Sequence, residues 1–143
     1  MYRKIHVVLP IAIFIILLFI SGKYTGNNLI EIVLFNTVFF IITIVVLTGY
    51  MSIKNKKFEN PFKAYFGLGD LLFYLAITPL FYLHNYLIFY IISMVFSVLM
   101  FFLFKKKLKD STIPLAGFSS LLLLIIISIQ LLFNYPALTL IVY

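Results

Sequence analysis

Five apolar stretches, each close to the length of a bilayer-spanning helix, constrain this chain more than any other feature. A helix that crosses hydrocarbon needs about 20 mostly apolar residues, and such runs occur at 5–21, 29–50, 68–84, 86–104 and 113–133. With 64% hydrophobic and 10% charged residues in a chain of 143, the apolar surface exceeds what one small core hides from water. The chain therefore reads as an all-α polytopic membrane protein with five transmembrane helices, a single domain over residues 1–143. Arg3 and Lys4 precede the apolar run 7–20 as they would in a signal peptide. Ser21, Gly22 and Lys23 make a poor cleavage site, however, and the run is long for a signal. It reads as a retained helix.

Lysine placement sets the orientation. Arg3 and Lys4 precede the first span, Lys54, Lys56, Lys57 and Lys63 lie between the second and third, and Lys105, Lys106, Lys107 and Lys109 lie between the fourth and fifth. With five spans these ten basic residues share one face, against Lys23 on the other, so the N-terminus is cytoplasmic and the C-terminus outside. The segment 137–143 follows Asn134-Tyr135-Pro136 and is too short to cross again. The basic face is expected to meet anionic lipid headgroups. The net charge of +7 does not call for nucleic acid, because the aromatics lie inside apolar runs and not beside the lysines. The absence of cysteine excludes disulfides and thiol chemistry. His6 and His84 lack neighbours at ligand spacing, so no metal and no cofactor is expected. Abundant Ile, Lys, Asn and Phe fit an AT-rich bacterium, which places the chain in an inner (plasma) membrane.

Two expectations concern the middle of the chain. His84-Asn85 is taken as the tight turn that joins the third and fourth spans into an antiparallel hairpin, and Pro79 as a residue able to kink the third. No helix reads as interrupted in mid-membrane, which argues against a transporter or channel.

Of the four acids, Glu31, Glu59, Asp70 and Asp110, Asp70 has the most distinctive setting. It opens the third span within Gly67-Leu68-Gly69-Asp70. Ionisable groups at membrane depth are costly and often functional, and the two glycines leave room for another backbone or a substrate strand. The same residues also suit a helix start, with the glycines turning the chain and Asp70 favouring the helix N-terminus. At the start of the fifth span stands Ile113-Pro114-Leu115-Ala116-Gly117-Phe118. There Pro114 fits the first turn, while Ala116, Gly117, Ser119 and Ser120 form a small-residue stripe for close helix packing. Asn36 and Thr43 share a face of the second span and are expected to form interhelical hydrogen bonds. Glu31 lies at the opposite end of a span from Asp70, about 30 Å away.

Taken together, Gly67-Leu68-Gly69-Asp70 opening one span, a hairpin, a basic loop, and Ile113-Pro114-Leu115-Ala116-Gly117-Phe118 opening another resemble the C-terminal half of the type IV prepilin peptidases. That family comprises GxGD-type intramembrane aspartyl peptidases. The resemblance covers roughly residues 63–130 and implies that Asp70 is one catalytic aspartate at the cytoplasmic face, with a transmembrane peptide as substrate. It also implies a second aspartate on an earlier helix, just before an Ile-Pro-Asn motif. Tyr2-Arg3-Lys4-Ile5-His6 matches the stretch that should follow it, which puts that aspartate before Met1; a second register at 52–60 places Ser52 there. Ala116-Gly117 stands where the family has Gly-Pro. Aspartyl hydrolysis needs two carboxyl groups sharing a proton, and Glu59 and Asp110 are the remaining acids on the cytoplasmic side. Three functions stay open. One is a prepilin-peptidase-like protein that lacks a complete dyad and is not proteolytic by itself, and another is a non-catalytic packing or assembly subunit of a membrane complex. The third is an active aspartic endopeptidase using Asp70 with Glu59, Asp110 or an acid of another subunit.

Overall fold

The computed structural model describes residues 8–56, 67–104 and 115–133. Among these, every residue is in α-helix or 3-10 helix except Lys56, Gly67, Ile77, Phe81 and Tyr82. The described parts of the five apolar runs are helical except for Ile77, Phe81 and Tyr82 in the third. Among the described residues three helices are long and apolar enough to cross a membrane, Leu29–Lys54, Leu83–Phe104 and Leu115–Leu132, whereas Val8–Lys23 and Leu68–Leu80 are shorter.

Helix α1 covers Val8–Thr25. Pro10 sits in its first described turn, and Lys23 lies in its last turn, where a cation complements the negative helix end. Gly26 adopts φ 59°, a left-handed backbone that ends a helix at little cost only for glycine. A 3-10 turn, Gly26–Asn28, then leads into α2, Leu29–Asn55. The sequence places the end of this span at residue 50, but the helix runs on to Asn55 and stops at Lys56, φ 50°, whose N–H donates to Ile53 O at 3.4 Å. The hydropathy boundary marks where hydrocarbon ends, and intrahelical hydrogen bonding continues past it. At 1.5 Å per residue α2 is about 40 Å long, more than the roughly 30 Å of hydrocarbon.

The third span departs furthest from expectation. Helix α3 occupies only Leu68–Ala76, and a 3-10 turn, Thr78–Leu80, follows. The break lies at Pro79, not at residues 84–85. Proline has no N–H for the carbonyl four residues back and disfavours helical backbone at the residue before it. The Thr78 hydroxyl donates instead to that carbonyl, Leu75 O, at 2.9 Å. His84 and Asn85 belong to the first turn of α4, Leu83–Phe104, which begins with Tyr86 N–H donating to Tyr82 O at 2.8 Å. The expectation of an uninterrupted third helix is thus corrected. Helix α5 covers Leu115–Phe133.

Two compact units divide the chain, Met1–Pro79 and Leu80–Tyr143. In the first, α1 packs against α3 and α2, and α2 packs against α3. The α2 contact face is a single stripe, Ile32, Asn36 and Phe40, one turn apart. Asn36 Nδ2 donates to Thr78 O at 2.8 Å, and the Phe40 and Tyr74 rings lie 5.8 Å apart. In the second unit α4 packs against α5. Tyr86, Phe89, Tyr90, Ser93 and Ser97 form the buried stripe of α4, Phe81 stacks on Phe89 at 5.0 Å, and Ser97 Oγ lies 3.4 Å from Ser119 Oγ on α5.

The buried residues are mainly apolar and aromatic with several polar side chains among them, and large apolar residues also cover the outside. Asn36, Thr78, Ser93, Ser97, Ser119 and Gln130 are buried beside the aromatics. Outside stand Ile11, Ile16, Phe19, Ile30, Leu34, Ile41, Val45, Leu124 and Leu132, each more than half or nearly half exposed.

Candidate functional site

The segment singled out by sequence begins with Gly67 as the N-cap of α3, φ −66° and ψ 137°. This is ordinary extended backbone, so the glycine is not required for a left-handed turn. From this cap the Gly67 carbonyl accepts the Asp70 N–H at 2.9 Å and the Leu71 N–H at 3.3 Å. Asp70 is the third residue of the helix. Its side chain folds back over the cap: a Cβ added to Gly67 would lie 3.0 Å from Asp70 Oδ2 and 3.6 Å from its Cγ. Glycine at position 67 therefore makes room for a carboxylate, and the carboxylate sits at the positive end of its own helix, where the backbone dipole stabilises it. An acidic group reaching back from the third helical position resembles one half of a capping box, and glycine at the cap has no side chain for the other half.

Where this places the other acids follows from the register of α2 and α3. Asn36 meets Thr78 and Phe40 meets Tyr74, so the two helices run antiparallel and Asp70 lies level with roughly residue 44 of α2. Glu31, exposed in the first turn of α2, is then about 20 Å further along the axis. It does not meet Asp70. The neighbouring hydroxyls on that stretch of α2 turn onto their own helix, Thr43 donating to Phe39 O at 3.0 Å and Thr48 to Ile44 O at 2.7 Å. For Thr43 the expectation of an interhelical bond is therefore replaced by an intrahelical one, while Asn36 makes the bond between helices.

Glu59, Asp110, Pro114 and His6 lie outside the described residues. Gly69 is buried in α3. Gly117 stands exposed in the first turn of α5, and its carbonyl accepts the Ser120 hydroxyl at 2.9 Å; from the small-residue stripe it is Ser119 that reaches α4. His84 is exposed. Among the described residues no group of three or more His, Asp or Glu could hold a metal ion. Of the residues named from sequence, the structure brings together Gly67 and Asp70.

Sequence reasoning named Pro79 as a kink and Asn36 as a group bonding between helices but did not bring them together at the second polar focus of this unit, the break in α3. Here Asn36 satisfies the Thr78 carbonyl and Thr78 satisfies the Leu75 carbonyl, so backbone freed by Pro79 finds partners within an apolar setting. The signal was the Thr78-Pro79 pair itself. Beside the break, Pro10, Ile11 and Phe14 of α1, Leu72 and Leu75 of α3, and Thr78 line most of an open groove of about 280 Å³.

Comparison of the chain with protein-family models, with curated proteins and with solved structures gives no match.

Proposed function

We propose that the chain is a multi-pass integral membrane protein with a cytoplasmic N-terminus, acting as a non-catalytic packing or assembly subunit of a bacterial inner-membrane complex. The exposed Ile, Leu, Val and Phe on three helices long enough to cross support the membrane assignment, because in water such a surface would drive aggregation. The basic residues gathered on one face support the orientation. For the non-catalytic role the carrying observation is the Asp70 carboxylate folded over Gly67, with a Cβ-to-Oδ2 distance of 3.0 Å. On this reading the segment resembling the prepilin peptidases is a helix start. Its glycine and aspartate are needed as a pair because one accommodates the other.

The test uses the whole chain in liposomes with a transmembrane peptide bearing a prepilin-type signal. The expected result is no cleavage by the wild type, and a cost of at most about 1 kcal/mol for Asp70→Asn, the size of a helix-end charge effect. Cleavage that disappears in Asp70→Asn overturns the proposal in favour of an aspartic endopeptidase. Glu59→Gln and Asp110→Asn would then identify the second acid.

A further inference from the structure

We draw no further inference here: the strongest candidate, the apolar groove of about 280 Å³ between α1, α2 and α3 beside the break at Thr78 and Pro79, lies midway along α2 away from its basic end, and nothing in the structure shows what covers it.

Discussion

Gly67 and Asp70 form a unit that neither residue explains separately. A methyl group at position 67 would stand 3.0 Å from Asp70 Oδ2, closer than carbon and oxygen tolerate without a shift. Gly67→Ala should therefore destabilise the protein by at most about 1 kcal/mol, in the range of helix-cap substitutions, less to the extent that the Asp70 carboxylate swings aside. In an Asp70→Ala background the obstructing carboxylate is absent, and the same substitution should cost at least about 0.5 kcal/mol less, the coupling typical of residues in contact. Thermal unfolding of the four proteins in one detergent measures this, and identical costs in both backgrounds would show that the carboxylate is not over the cap. The presence of a helix start at 67–70 was legible from Gly-x-Gly-Asp at the head of an apolar run. The carboxylate's direction was not, because a side-chain rotamer depends on the local backbone and not on residue order.

At the scale of elements, hydrogen bonding distinguishes helices that grip each other from helices that face lipid. Asn36 ties α2 to the end of α3 through Thr78 O. Thr43, two turns further along α2, donates to Phe39 O of its own helix. Asn36→Leu should then cost about 1 kcal/mol, as interhelical bonds in membranes do, whereas Thr43→Val should change stability by no more than a few tenths. Equal effects, measured by unfolding in the same detergent, would show that Thr78 O finds its partner elsewhere. The spacing of Asn36 and Thr43 put both on one face of α2 and so suggested the same role for both. The two differ because Asn36 is fully buried opposite the break that follows α3, whereas Thr43 is only half-buried and its hydroxyl turns onto its own helix. Pro79 was visible as a disturbance of the third span. That it terminates the helix follows from the Thr78 hydroxyl and Asn36 capturing the freed carbonyls, one of them from a residue 42 positions away.

For the whole molecule, the decisive quantity is which face of the bilayer each connection occupies. A chain without cysteine is suited to this measurement, since any introduced thiol is the sole label site. In intact cells Lys23→Cys should react with an impermeant maleimide from outside, and Lys56→Cys only after the membrane is opened. Both lysines are exposed, Lys23 in the last turn of α1 and Lys56 at the end of α2, so a whole helix separates them. Labelling of Lys56→Cys in sealed cells would invert the orientation.

Composition and the placement of apolar runs by themselves determined that the chain is helical and that its helices carry apolar side chains outward, because hydrocarbon leaves backbone groups no partner except their own helix. Tertiary structure decided three things. It set α3 at nine residues, turned Asp70 onto its own cap, and assembled a groove from α1, α2 and α3. Each depends on contacts between segments distant in sequence or on a side-chain direction, and local hydropathy contains neither.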